Sequence, residues 1–172
     1  MARMKELKDI KIYLASSMDT RFRKTIKDAA EILRMTFNEV YVPMEHEVTN
    51  AWDYPNNEWG LMVFEDDLCA INRSDYVVFL NYGRENTTAG CAWEAGYAFA
   101  SGKKVFVVDV NELELTLSDT DDIEQIAESL NKGFVTSLMV ENGRYATING
   151  IGGLREYNWV ALEKTRTLYE QK

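Results

Sequence analysis

The fold is decided by one stretch, SDYVVFLNYGRENTTAGCAWEAGYAFASGKKVFVVD, residues Ser74–Asp109. Tyr76–Leu80 is a short unbroken apolar run, as expected of a strand buried on both faces. The polar, glycine-containing loop Asn81–Gly90 follows. AWEAGYAFA then has helical spacing, with Trp93, Tyr97 and Ala100 along one side and a stop at Gly102. A second all-apolar strand, Val105–Val110, closes the unit. Strand, loop, helix and strand in this order predict a parallel pair joined by a helical crossover. Within the unit Glu94 is out of place. The pattern puts this carboxylate in the first turn of a helix, between Trp93 and Ala95, at the carboxyl end of a buried strand. Open α/β sheets hold their ligands at that edge.

The rest of the chain alternates around this unit. Upstream, Ile10–Ala15 reads as a strand ending in the polar turn Ser16-Ser17-Met18-Asp19. Thr20–Met35 reads as a helix with Phe22, Ile26, Ala29, Ala30 and Leu33 on its apolar side. Val40–Val42 is a short strand stopped by Pro43. Glu45–Glu58 is polar, aromatic and without clear period, the character of a lid or binding loop. Trp59–Asn72 is a helix expected to turn Leu61, Met62, Phe64, Leu68 and Ile71 inward. Downstream come an acidic connection, Asn111–Asp122, a helix over Ile123–Leu130 and another over Phe134–Val140. A strand, Tyr145–Ile148, a turn, Gly150–Gly153, and a terminal helix, Trp159–Tyr169, complete the order. With no repeat and no linker, the expectation is one three-layer α/β domain over residues 1–172, a parallel sheet flanked by helices.

Composition narrows the function. The 172 residues are 46% hydrophobic and 27% charged, a globular balance with enough chain for a full core. No apolar run approaches the roughly 20 residues that span a bilayer, and MARMKELKD lacks a signal-peptide core, so no membrane association is expected. Cys69 and Cys91 lie in apolar helical surroundings without ligand spacing, which fits a reducing cytoplasm. A net charge of −9 argues against nucleic-acid polymers, whereas small anions remain open to a local pocket. A single histidine excludes a histidine-rich metal site, and no cofactor is implied.

Glu94 has two readings. It is either a helix N-terminal acid favoured by the dipole or a nucleophile or acid in a water-poor pocket. Asp66-Asp67 poses the same question: one carboxylate faces solvent while the other, beside Leu68, turns inward.

The segments KIYLASS, VPMEHEV, VFEDDL and SDYVVFL…TAGCAWEAGYAFASGKKVFVV together resemble the nucleoside 2-deoxyribosyltransferase family, which includes related nucleoside 5′-monophosphate N-glycosidases. The resemblance covers most of Lys11–Val110 and, more weakly, Thr136–Val140. It implies a flavodoxin-like parallel sheet, an oligomer with sites at subunit contacts, and cleavage of the bond between a sugar C1′ and a nucleobase. Glu94 matches the nucleophile that attacks C1′, Asp67 the acidic position near the base, and Tyr13 the tyrosine that orients the nucleophile. Such chemistry needs one carboxylate to take the sugar and one acid to protonate the leaving base. Glu47 falls where the transferases carry a base-reading glutamine. His46 beside it is a candidate contact, and Gly90 belongs to the same motif.

The departures point to a subclass. Transferases acting on free nucleosides carry an aspartate six residues before the nucleophile, where this chain has Thr88. They also carry an asparagine that reaches a neighbouring subunit's substrate; Ser137 stands nearest. The monophosphate glycosidases place small hydroxyl residues at these positions and after the first strand, which Ser17, Thr88 and Ser137 would supply. Hydroxyls suit a phosphate, and an aspartate repels one. The leading expectation is hydrolysis of a nucleoside or deoxynucleoside 5′-monophosphate. A base-exchanging 2′-deoxyribosyltransferase and a non-catalytic nucleotide sensor on the same fold are the alternatives.

Overall fold

The computed structural model describes residues 6–83, 88–110, 140 and 143–162. Five parallel strands form one sheet in the order β2-β1-β3-β4-β5: β1 Lys11–Ala15, β2 Glu39–Tyr41, β3 Tyr76–Asn81, β4 Lys104–Asp109 and β5 Ala146–Asn149. This is the flavodoxin-like order, and its reversal point lies between β1 and β3. The expected fold class is therefore observed.

The strands form because both of their faces are apolar. Ile12, Leu14, Val78, Leu80, Phe106 and Val108 face one way, onto α1 (Arg23–Thr36) and the short helix Gly150–Glu156. Tyr13, Ala15, Val77, Phe79, Val105 and Val107 face the other way, towards α2 (Asn56–Arg73) and α3 (Ala89–Ala100). The first face is sealed by Phe22, just before α1, and by Ile26, Ala29, Ala30 and Leu33 of α1, with Ile151, Leu154 and Trp159. The second is covered more thinly, by Ile71 of α2 and by Cys91, Ala95 and Ala98 of α3. Burying a large aliphatic side chain contributes about 1.5–3 kcal/mol, so the first face carries most of the packing energy.

α3 ends as its sequence requires. Gly102 adopts φ +74°, Lys103 N–H donates to Ala98 O at 2.9 Å, and Gly102 N–H donates to Phe99 O at 3.0 Å. This pair of bonds is the Schellman closure.

Several expectations need correction. β2 ends at Tyr41, not Val42, because Pro43 opens a 3₁₀ turn. The Glu45–Glu58 loop is shorter than expected. It contains a 3₁₀ turn, Ala51–Asp53, and gives its last residues to α2. Of the α2 residues expected inward, Ile71 alone is buried; Leu68 is half-buried, and Leu61, Met62 and Phe64 are exposed. α2 meets the sheet only at its C-terminal end, so its apolar stripe runs past the core. Gly150–Gly153 begins a helix instead of a turn, and Trp159–Ala161 is a turn instead of the start of the terminal helix. The expectations over 111–139 and beyond 162 lie outside the described residues.

Candidate active site

Three side chains from three elements meet on the thinly covered face of the sheet. Tyr13 of β1 is fully buried, its ring under α2 and α3. Asp67 of α2 is half-buried, whereas Asp66 beside it is exposed. Glu94 of α3 is half-buried, with its Oε2 shielded from solvent. α3 starts at Ala89 with Thr88 as its N-cap, which places Glu94 in the second turn, not the first. The dipole reading of this acid therefore loses its basis, because that effect fades beyond the first turn.

A cavity of about 350 Å³ opens onto the carboxylates, lined by Phe64, Asp67, Leu68, Ile71, Gly90, Trp93 and Glu94. Gly90 leaves its edge open: a Cβ there would meet nothing nearer than Thr88 Oγ1 at 3.8 Å. Phe64 and Trp93 form an aromatic rim with ring centres 5.5 Å apart, and Trp93 stacks on Tyr97 at 5.4 Å.

The electrostatics follow from this burial. Loss of water and then the charge of Asp67 push the Glu94 carboxyl up to about 8, against a smaller opposing effect of the Tyr13 hydroxyl. Burial raises Asp67 to about 6, and the Tyr13 hydroxyl holds it back. Burial and both carboxylates push the Tyr13 phenol far above its ordinary range. The hydroxyl lies close enough to act on both acids without closing a hydrogen bond of ordinary geometry to either. Two carboxyls so coupled titrate as a pair that holds one proton near neutrality.

The other expected site residues are placed as follows. Ser17 is buried just beyond β1, where its Oγ accepts the Asp19 N–H at 3.2 Å; Ser16 Oγ is buried beside it. Thr88 Oγ1 accepts the Cys91 N–H at 3.3 Å and lies 3.1 Å from Cys91 Sγ. At the end of β3, Asn81 Nδ2 donates to Asp109 Oδ1 at 2.7 Å, and Asn81 Oδ1 accepts the Gly83 N–H at 3.2 Å. These bonds fix the start of the loop that leads to Thr88. His46 stacks on Tyr41 and acts on Asp67 through its charge. Glu47 lies apart, in a separate hollow of about 440 Å³ with Arg23 and Lys27. Ser137 lies outside the described residues. Phe64 and Tyr41 escaped the sequence reading as site neighbours, and their positions depend on pairings distant in the chain.

The family model for nucleoside 2-deoxyribosyltransferase matches residues 12–144, more than half of the chain. The chain belongs to that family. As a family of glycosyl-transferring enzymes, it meets the expectation of glycosyl-transfer chemistry at that level. The fold of this transferase-family chain is also similar to solved structures. One is the 2-deoxyribosyltransferase of Bacillus psychrosaccharolyticus, with a TM-score of 0.69 and 22% identity, over 92% of this chain and 99% of that one. Another is a conserved protein of Enterococcus faecalis V583, with a TM-score of 0.61 and 21% identity, over 86% of this chain and 95% of that one. No curated protein sequence matches it significantly. Among the described residues of this family member, no helix is long and apolar enough to cross a membrane.

Proposed function

We propose that this enzyme cleaves the N-glycosidic bond of a nucleoside or deoxynucleoside 5′-monophosphate through a glycosyl ester on Glu94. The observation that carries the reading is the meeting of Glu94 and Asp67 at one cavity, with the Tyr13 hydroxyl close enough to act on both. In the first step a Glu94 oxygen attacks C1′. The C1′–N bond breaks with its electron pair leaving on the base, and Asp67 gives that nitrogen a proton. Water then attacks C1′ and loses a proton to Asp67. The C1′–O bond to Glu94 breaks, releasing the sugar 5-phosphate.

One ionised and one protonated carboxyl are needed, and a pair holding a single proton supplies both. In the free enzyme the proton favours Glu94, since about 8 exceeds about 6. The productive tautomer carries it on Asp67, with the Tyr13 hydroxyl orienting Glu94. Phe64 and Trp93 offer the base a stacking rim.

The 5′-phosphate is assigned to the N-terminus of α3, with Thr88, and to Ser17 at the neighbouring strand end. Helix N-terminal N–H groups favour an anion. Among the described residues the Thr88 hydroxyl donates to a sulfur, a weak acceptor that a phosphate oxygen outcompetes. Ser137 is the third hydroxyl of this proposal, delivered by a neighbouring subunit; Glu47, in its separate hollow, and His46, stacked on Tyr41, take no part in it as base contacts.

The family match favours a second reading, in which a second base rather than water intercepts the ester and deoxyribose is exchanged. A chromatographic assay of nucleosides and their 5′-monophosphates, each with and without an added free base, separates the two. Hydrolysis predicts base and sugar 5-phosphate from monophosphates whether or not a second base is present. Turnover of nucleosides alone, and only with an acceptor base, overturns it.

A further inference from the structure

Beside Asp67 three rings are stacked in a row. Tyr13 and Tyr41 are cross-strand partners in the β1–β2 register, so both project from the same face of the sheet. Their ring centres are 5.6 Å apart with planes 12° from parallel. His46 lies on the outer face of Tyr41 at 4.2 Å, its plane 2° from parallel. The turn that carries His46 is itself anchored. Arg34 of α1 donates to Glu45 Oε1 at 2.9 Å and to Val40 O at 3.3 Å, with a further contact to Glu45 Oε2. Tyr41 is half-buried, with its hydroxyl beside Asp67.

We propose that Tyr41 is a positioning residue for this enzyme. Its hydroxyl, held by the stack between Tyr13 and His46, fixes the Asp67 carboxyl and, with Tyr13, governs which acid of the pair carries the shared proton. The inference rests on the reading of Asp67 as the proton donor and adds a residue that reading does not use.

The chemistry of the hydroxyls supports it. A phenol donates to a carboxylate and stabilises its ionised form. Burial raises Tyr41 to about 12, and the charges of Asp67 and Asp66 add to the rise. The phenol therefore keeps its proton over the working range and remains a donor. The groups facing Asp67 are Tyr13 from β1, Tyr41 from β2, His46 from the turn after β2, Asp66 from its own helix and Glu94 from α3. Asp66 opposes ionisation of Asp67, whereas Tyr13, His46 and Tyr41 favour it. Tyr41 and Tyr13 thus hold Asp67 as the acceptor in the free enzyme. Arrival of a basic leaving group tips the proton from Glu94 to Asp67 without a change in total charge.

Tyr41→Phe is the test, since it keeps the ring and the stack and removes only the hydroxyl. Side-chain carboxyl chemical shifts of ¹³C-labelled aspartate, followed against pH in the intact protein, read Asp67 without any substrate. The resonance is assigned by its loss in Asp67→Asn. The expected result is an Asp67 midpoint raised by about half a pH unit or more in Tyr41→Phe, with the fold unchanged by circular dichroism. In kinetics, the acid limb of kcat should move upward by the same amount, with KM changed less than about twofold and the plateau of kcat lowered several-fold. A midpoint and a pH profile identical to the unmodified enzyme's overturn the inference, as does a loss confined to KM. Failure of the underlying reading looks different. If Asp67→Asn keeps full kcat while the Tyr41→Phe midpoint still moves, Asp67 is not the proton donor, although Tyr41 does hold it.

Discussion

Glu94 is a carboxylic acid kept in a place where its charge is poorly solvated, and that has two measurable consequences. The first is catalytic. Glu94→Gln removes the nucleophile of the proposed reaction and should lower kcat by a factor on the order of 10³ or more. A variant that keeps a tenth of the rate sinks the covalent route. The second is thermodynamic and has the opposite sign. An unfolded chain ionises this group near 4.5, whereas the folded protein holds the proton up to about 8. Between those values the folded state binds more protons than the unfolded one, so stability falls as pH rises through the window. Asp67, raised from 3.8 to about 6, adds a loss of the same sign at lower pH. Glutamine cannot ionise and escapes the cost. Glu94→Gln should therefore be more stable than the unmodified protein at pH 8, by an amount on the order of a few kcal/mol, with the gap closing towards pH 4.5. Thermal melts at the two pH values check this. A variant less stable at pH 8 contradicts the burial argument. An acid that merely favoured its helix would show neither effect.

At the scale of elements, Thr88 joins a local role to the proposed binding role. As N-cap it satisfies the Cys91 N–H, and Thr→Ala at such a position costs about 1 kcal/mol. Aspartate caps a helix at least as well as threonine. Thr88→Asp therefore changes the charge at the mouth of α3 and spares the helix. It should leave the melting temperature nearly unchanged and lower the ratio of kcat/KM for a 5′-monophosphate over its nucleoside by about 10²-fold or more. If the ratio is unmoved, the phosphate does not lie at this cap. The elements also separate what the chain discloses from what it hides. β1, β3 and β4 are legible because each is an apolar run bounded by polar turns, and Glu94 stands out because its neighbours are apolar. The start of α3 was less so: the cap at Thr88 moves the helix back and Glu94 into the second turn. The outward stripe of α2 was misread because helical periodicity marks an apolar face without naming what covers it. Tyr41 escaped notice altogether. Its place beside Tyr13 comes from the β1–β2 register, and its place beside Asp67 from how α2 crosses the sheet; neither is local in sequence.

For the whole molecule, the two faces of the sheet are unequally covered. Leu61, Met62 and Phe64 of α2 are exposed, as are Trp93 and Phe99 of α3, and Trp52 in the preceding loop is 99% exposed. Apolar surface gathered this way marks an interface. We expect a stable dimer, or an oligomer built from dimers, that covers this side and brings a Ser137 to each site. Sedimentation at micromolar concentration checks it, and a fully active monomer rules it out. Leu61→Glu, on the exposed stripe outside the cavity lining, should weaken the assembly and lower activity together.

The sheet's outermost described strand on this side, β2, has only three residues, Glu39–Tyr41, and a single strand neighbour. A short rim strand of this kind is the first part of a sheet to fray, through excursions that leave the central strands paired. Backbone amides of β2 should therefore exchange with deuterium well before those of β3, which is buried along its whole length. The strand that frays first also carries Tyr41, so warming should loosen the brace on Asp67 before the core melts. The enzyme should then lose rate reversibly at temperatures where its circular dichroism is still that of the folded state. Loss of rate only at the melting transition, with β2 as protected as β3, would show that the rim is held more firmly than its length suggests.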